Sequence, residues 1–203
     1  MRKRWIAAAA GLLALVWASS VQGVVINEFY YGTEPPGNNE WIELFNRSSS
    51  NINLMNWKVL VANGSGFVQV HAITSGADGG TTIPTSDYFL ITDGAGAGMD
   101  YDVNNVNLNL GRASGTSVHG IMLVDDTGTS IDTVLYAPAG ATNVYNLRDD
   151  DGYTSMTRVK GVVGDEALSR NASHTDTNDS SADFSAVGAG TPVSVEISRF
   201  ELQ

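Results

Sequence analysis

The chain has 203 residues, no cysteine, and 22 acidic against 11 basic residues, which give a net charge of −11. Such a charge repels nucleic-acid phosphates and anionic lipids, so neither is an expected partner. Because the chain cannot form disulfides, its stability has to come from a packed core, for which about 180 residues suffice as one domain.

The first 23 residues have the pattern of an export signal. Three basic residues at positions 2–4 precede an apolar run from Trp5 to Ala18, and small and polar residues follow. The run is shorter than the roughly 20 residues that span a bilayer, so we predict cleavage after Gly23, with Ser20 as the close alternative. The remainder carries 8 basic and 22 acidic residues, a net charge of −14. Export without cysteine favours a secreted or cell-envelope protein of a bacterium.

From Val24 onward, short apolar stretches alternate with turn-rich gaps, and no window keeps helical periodicity over three turns. This pattern predicts an all-β protein, in which two antiparallel sheets pack face to face. The predicted strands are Val24 to Tyr31, Glu40 to Asn46, Trp57 to Ala62, Val68 to Thr74, Tyr88 to Thr92, Gly120 to Asp125, Ser130 to Tyr136, Ser155 to Arg158 and Ser194 to Leu202.

The clearest local unit is GIMLVDDTGTSIDTVLY, residues 120–136, in which two apolar runs flank a turn. Gly128 can take the positive φ that a tight hairpin requires.

Between Ala137 and Pro192 the composition becomes polar and acidic. We predict a long irregular C-terminal excursion here, anchored by Met156, Leu168 and Phe184. A loop of this length is uncommon in a compact domain and usually carries function or is disordered. Residues 194–203 resume strand character and either complete the sandwich or begin a further module.

Five stretches, taken in order, resemble the lamin tail domain as found in bacterial exported proteins: VVINEFYY, NEWIELFNRSSSNINLMNWKV, TIPTSDYFLITD, LVDDTGTSIDTVLY and LSRNASHTDTNDSSADF followed by TP. The resemblance covers residues 24–193 and implies an immunoglobulin-like antiparallel β-sandwich that serves as a binding or structural module. Such modules are often fused to exported hydrolases, and no fused catalytic domain is visible here. The chain departs from the pattern at DGAGAGMDYDVNN and at residues 137–164.

The resemblance assigns structural positions to ten residues: Asn27, Glu28, Glu40, Trp41, Glu43, Asn46, Trp57, Gly128, Asp132 and Phe184. Trp41 and Trp57 are expected to fill the core.

Two readings of the glutamates compete. Glu40 and Glu43 lie three apart on a strand and point to opposite faces, so they cannot form a catalytic pair by themselves, although Glu28 could partner either one. The favoured alternative is that Asn27, Glu28, Glu43 and Asn46 hydrogen-bond loop backbones at one end of the sandwich.

The stretch DTNDSSAD, residues 176–183, is a candidate calcium site. Asp176, Asn178, Asp179 and Asp183 offer hard oxygen ligands, and the acidic run 149–151 could close an irregular site. The stretch does not match a helix-loop-helix calcium loop, because its sixth position is serine and its twelfth is valine. A solvated acidic loop is the commoner outcome.

Other chemistry has weak support. The three histidines lie in unrelated contexts, and neither a nucleophile elbow nor zinc-ligand spacing occurs. Tyr101, Tyr145 and Tyr153 lie at or near predicted loops, where tyrosine can stack on sugar rings or anchor a protein partner.

These features favour a non-enzymatic exported module that contacts a protein or polysaccharide surface through its loops and requires no cofactor. The first alternative is a calcium-dependent carbohydrate-binding domain. The second is a glutamate-based hydrolase or an accessory domain of one.

Overall fold

The computed structural model describes residues 23–31, 40–63, 67–74, 80–92, 101–102, 108–111, 116–141, 158–160 and 166–188. They form thirteen strands and one short helix: β1 Val24–Tyr30, β2 Trp41–Asn46, β3 Ile52–Asn53, β4 Lys58–Asn63, β5 Phe67–Ala72, β6 Thr82–Ile83, β7 Tyr88–Thr92, β8 Tyr101–Asp102, β9 His119–Val124, β10 Ser130–Ala137, β11 Val159–Lys160, β12 Glu166–Arg170, α1 Ser180–Asp183 and β13 Phe184–Gly188.

The strands form two large sheets and a small one. The six-stranded sheet has the order β13-β12-β1-β2-β7-β8, and the five-stranded sheet has the order β11-β10-β9-β4-β5. Pairing is antiparallel except between β7 and β8 and between β10 and β11. β3 pairs with β6 separately. The predicted immunoglobulin-like antiparallel sandwich is confirmed.

The core lies between the two large sheets. Ile42 and Leu44 of β2 belong to it together with Ile121 and Leu123 of β9, and all four side chains are fully buried. The alternation of strand side chains turns the neighbours of Ile42 and Leu44 to the outer face of the six-stranded sheet. That outer face therefore carries its own set of residues, which includes Glu43.

A bulge in β1 changes which residues face the core. The register with β2 shifts between Ile26 and Glu28, so Asn27 is an extra residue opposite Glu43. Before the bulge Ile26 points into the core, and after it Phe29 does. Asn27 and Glu28 consequently both lie beside Glu43.

The predicted hairpin at residues 120–136 is confirmed, with β9 and β10 paired around a turn in which Gly128 has φ 87°. Asp125 Oδ1 accepts hydrogen bonds from Thr127 N at 2.9 Å and from Thr129 N at 2.8 Å, which fixes the turn.

The prediction that Ala137 to Pro192 is irregular is wrong for residues 166–170 and 180–188. These residues form β12, α1 and β13, and β12 pairs with β1 inside the six-stranded sheet. The prediction failed because β13 is exposed along most of its length and therefore lacks the apolar alternation that indicates a strand. Leu168 and Phe184 are buried as expected, whereas Met156 lies outside the described residues.

Other predictions fall partly or wholly outside the described residues: the leader up to residue 22, residues 155–157 of the eighth predicted strand, and the strand at 194–202. Within the described part of the chain, no helix has the length and apolar character needed to cross a membrane.

Candidate functional site

A buried ion pair links the two large sheets. Arg170 at the end of β12 donates from its Nη2 to Asp132 Oδ2 of β10 at 2.6 Å, and both side chains are at most 1% exposed. The same Asp132 oxygen accepts a hydrogen bond from Ile26 N at 2.6 Å, and Arg170 Nε donates to Ile26 O at 2.8 Å. The pairing of β12 with β1 stops at Glu28, and these two side chains replace strand partners for Ile26.

Arg170 also organises the loop that follows it. Its Nη1 donates to Thr175 O at 3.0 Å and to Asp183 Oδ2 at 3.1 Å, and lies 3.5 Å from Asp176 Oδ1. The guanidinium stacks over the Phe184 ring, 4.6 Å from its centroid. We call Arg170, Asp132, Asp176 and Asp183 the Arg170 cluster.

The four predicted calcium ligands are engaged by the protein itself. Asp183 binds Arg170 and also accepts from Thr177 N and Oγ1, each at 2.8 Å. Asp176 lies between Arg170 and Arg47, whose Nη2 is 3.7 Å from Asp176 Oδ2.

The other two predicted ligands serve the local fold. Asp179 caps α1 by accepting from Ser181 N and Ala182 N, as an N-cap residue does. Asn178 takes φ 57° in the turn before α1. No group of three or more potential metal ligands is arranged to hold an ion among the described residues. Calcium binding here remains a prediction that the geometry does not support.

On the outer face of the six-stranded sheet the structure brings Glu28 and Glu43 together. They are register partners on β1 and β2, and they are 5% and 1% exposed. Carboxylates at such positions are close neighbours on one face. Asn27 Nδ2 donates to Glu43 Oε1 at 2.7 Å, whereas Glu43 Oε2 has no hydrogen-bond partner among the described residues.

This arrangement changes the acidity of both carboxyl groups. Burial raises the pKa of Glu43 to about 7; the hydrogen bond from Asn27 lowers it and the charge of Glu28 raises it. Burial also raises the pKa of Glu28, and the hydrogen bond from Ser169 opposes that effect. Near neutral pH Glu43 is therefore about half protonated. Tyr88, whose pKa is raised by burial and by the charges of Glu43, Asp87 and Glu28, lies nearby.

His174 connects this carboxylate pair to the loop after β12. Its Nδ1 lies 2.6 Å from Asn27 Oδ1, and its ring stacks on Phe45 with centroids 3.8 Å apart. The Asn27 amide nitrogen donates to Glu43, so its oxygen accepts from the imidazole. Burial lowers the pKa of His174, and the charges of Arg170 and Arg47 lower it further.

Glu40 and Asn46 hold loops at opposite ends of β2. Glu40 Oε2 accepts from Leu110 N at 3.1 Å. Asn46 is fully buried and donates from Nδ2 to Ser50 O at 2.8 Å, Ile83 O at 3.1 Å and Pro84 O at 2.9 Å. Both side chains satisfy loop backbone groups, which was expected of Asn46. The same expectation is wrong for Asn27 and Glu43, whose side chains hydrogen-bond to each other.

The prediction for the two tryptophans is half right. Trp57 is partly buried against the core. Trp41 instead lies on the outer face of the six-stranded sheet, in a separate cluster with Tyr30, Leu90 and Ala167. It was misplaced because Ile42 and Leu44 already occupy the core-facing positions of β2.

The predicted binding tyrosines are not tested. Tyr101 lies in β8, although the structure does not describe its side chain. Tyr145 and Tyr153 lie outside the described residues.

Sequence reasoning missed Arg170 and His174. The available signal for Arg170 was that it is a lone basic residue shortly after Ala167 and Leu168, since a buried Asp132 needs a positive partner. No sequence signal pointed to His174, whose contacts with Asn27 and Phe45 depend on the tertiary fold.

The sandwich and its internally engaged polar residues define an immunoglobulin-like module. A model of the family described as Lamin Tail Domain matches residues 18–138, more than half of the chain. The chain therefore belongs to the lamin tail domain family, whose members are non-catalytic immunoglobulin-like modules. β11, β12, α1 and β13 follow the matched range. No curated protein matches the chain.

Proposed function

We propose that this protein is a non-enzymatic module, exported to the cell surface or medium, that binds a protein or polysaccharide surface through its loops and needs no cofactor. The supporting observation is that polar residues of the family motif form their hydrogen bonds and ion pairs with other parts of the fold. Arg170 and Asp132 join the sheets, and Glu40 and Asn46 hold loops. Contacts with a partner are then left to exposed segments at the sandwich ends.

The test is retention of the exported chain by envelope and extracellular material from its own source. We expect saturable retention that survives Glu28→Gln and Glu43→Gln, because both side chains are buried, at 5% and 1% exposure. Treating the material with protease or with polysaccharide-degrading enzymes tells the two classes of partner apart. Absence of saturable retention by any fraction would contradict the proposal.

A hydrolase is the second candidate, and the register pairing of Glu28 with Glu43 is the observation that favours it. An acid with a pKa of about 7 beside a second carboxylate is the pattern of general acid catalysis. Against it, the exposure of both side chains, 5% and 1%, leaves little room for a substrate. Turnover of any glycoside or ester that disappears in folded Glu43→Gln would establish this alternative and displace the binding module.

A further inference from the structure

Two exposed segments that the structure describes at one end of the sandwich contain no charged side chain. Residues 48–56 and 80–86 contain no acidic or basic side chain, in a chain whose net charge is −11. The exposed residues in them are mostly amides and hydroxyls: Ser49, Ser50, Asn51, Asn53, Met55, Asn56, Gly80, Thr82, Pro84, Thr85 and Ser86. We call residues 48–56 and 80–86 the neutral platform.

The neutral platform is fixed to the core from below. Leu54, which follows β3, and Ile83 of β6 are fully buried in the core cluster, and β3 pairs with β6. Asn46 binds the carbonyls of Ser50, Ile83 and Pro84, so one buried side chain ties both halves together. A surface held in this way loses little conformational freedom when it binds a ligand.

Two asparagines on the neutral platform are oriented so that their donors face outward. Asn53 Oδ1 accepts from Met55 N at 3.0 Å and Thr81 Oγ1 at 2.8 Å, and Asn51 Oδ1 accepts from Thr85 N at 3.3 Å. With each oxygen turned to the backbone, the Nδ2 group makes no hydrogen bond to any described residue. Ile52 between them packs on the core, so the two amides lie on the solvent side, roughly 7 Å apart.

We propose that the neutral platform binds an uncharged polysaccharide, with the Nδ2 groups of Asn51 and Asn53 donating to its hydroxyl oxygens. This rests on the proposed binding function and selects polysaccharide over protein. Preoriented donors beside the hydroxyl of Thr82, which is opposite Asn53 in the β-ladder, suit a ligand rich in hydroxyl groups. A protein hot spot is enriched in Trp, Tyr and Arg, and residues 48–56 and 80–86 include none of these. An anionic polysaccharide is disfavoured by the net charge.

The discriminating variant is Asn51→Asp with Asn53→Asp. Aspartate keeps the oxygen that accepts from the loop backbone and replaces the outward donor by an acceptor, so folding is preserved. Because the ligand is neutral, the added charges cannot repel it electrostatically. The matched control is Asn171→Asp, at an exposed residue of another loop whose Oδ1 accepts from Ser173 N and Thr175 N, each at 3.1 Å.

Retention of the exported full chain is measured on cellulose, dextran and a β-1,3-glucan, with polygalacturonate as the anionic counterpart and circular dichroism melts to verify folding. We expect retention by a neutral glucan that is insensitive to salt, a loss of tenfold or more in the double variant, and no loss in Asn171→Asp.

Each other result has a definite meaning. Equal retention of the double variant would remove the site from the neutral platform and leave the binding function standing. Retention by polygalacturonate, with none by the neutral glucans, would show that the ligand is not an uncharged polysaccharide. Retention by envelope protein alone would overturn the polysaccharide class. Both results would leave the binding module standing. Retention by no polysaccharide and no envelope fraction would overturn both.

Discussion

The Arg170 cluster and the pair of Glu28 with Glu43 bury carboxylates on opposite faces of the six-stranded sheet. In the first, the guanidinium of Arg170 contacts Asp132 and Asp183 within 3.1 Å. In the second, two carboxyl groups face each other with Asn27 as the hydrogen-bond donor to Glu43, and the pKa of Glu43 rises to about 7. The comparison shows that buried carboxylates can have very different partners: a guanidinium serves Asp132 and Asp183, whereas an amide serves Glu43, whose pKa burial raises.

The largest expected effect comes from removing that cation. Arg170→Met leaves Asp132 and Asp183 buried without their counterion, and we expect the free energy of unfolding to fall by about 3–5 kcal/mol. Urea denaturation at neutral pH measures this. The double variant Arg170→Met with Asp132→Asn should recover part of the loss, because it no longer buries the Asp132 charge.

Arg170→Lys is the control, since it keeps the charge but loses the planar fork that contacts both aspartates. We expect it to lie between the wild type and Arg170→Met. An Arg170→Met protein that unfolds at the wild-type urea concentration would show that the cluster does not stabilise the contact between the sheets.

Replacing Glu43, which has no basic partner among the described residues, is expected to raise the free energy of unfolding at high pH. The folded pKa of Glu43, about 7, is raised above its ordinary value of 4.5, so its contribution to stability is fully present below pH 4.5 and is lost as the pH rises through 7. Glu43→Gln abolishes this loss and keeps an acceptor for Asn27. We expect the variant to exceed the wild type by roughly 3 kcal/mol at pH 8, relative to their difference at pH 4.

Unfolding free energies at several pH values between 4 and 8 measure this effect. Asp126→Asn, at the exposed tip of the hairpin, removes one charge without changing a buried group and serves as the control. Parallel pH curves for the wild type and Glu43→Gln would show that the outer-face pair is not electrostatically strained.

The difference between these two regions also separates what the sequence could and could not predict. Apolar alternation placed most strands within a few residues, and the family resemblance assigned a structural position to Asp132. Its partner Arg170 had a weak signal as a lone basic residue, but the contact itself spans 38 positions and depends on β12 lying beside β1, in a stretch that was predicted to be irregular. Nor does the sequence reveal the bulge at Asn27, which sets Glu28 opposite Glu43.

A smaller effect is expected at His174, which contacts Asn27 beside Glu43 and lies in the field of Arg170. His174→Phe keeps the stacking on Phe45 and removes the hydrogen bond to Asn27, so we expect a loss of about 1 kcal/mol at pH 7.5. The folded pKa of His174 is lowered from 6.5, so its contribution to stability is present above pH 6.5 and is lost as the pH falls through the folded pKa.

The measurement for His174 is the same pH series. The difference between the wild type and His174→Phe should shrink or reverse as the pH falls below 6.5, which is the opposite direction to the effect at Glu43. A difference that stays constant from pH 4 to pH 8 would mean that the imidazole contributes through packing alone.

The smallest expected effect is that of calcium. The oxygens of Asp176 and Asp183 face Arg47 and Arg170, so a calcium ion would have to displace two guanidinium groups to reach them. A specific site at 100 times its dissociation constant would add about 2.7 kcal/mol, a shift of a few degrees in Tm. We expect melts with calcium and with chelator to coincide. A calcium-dependent rise in Tm that disappears in Asp176→Asn would show that the ion competes with the arginines, and would revive the calcium-dependent alternative.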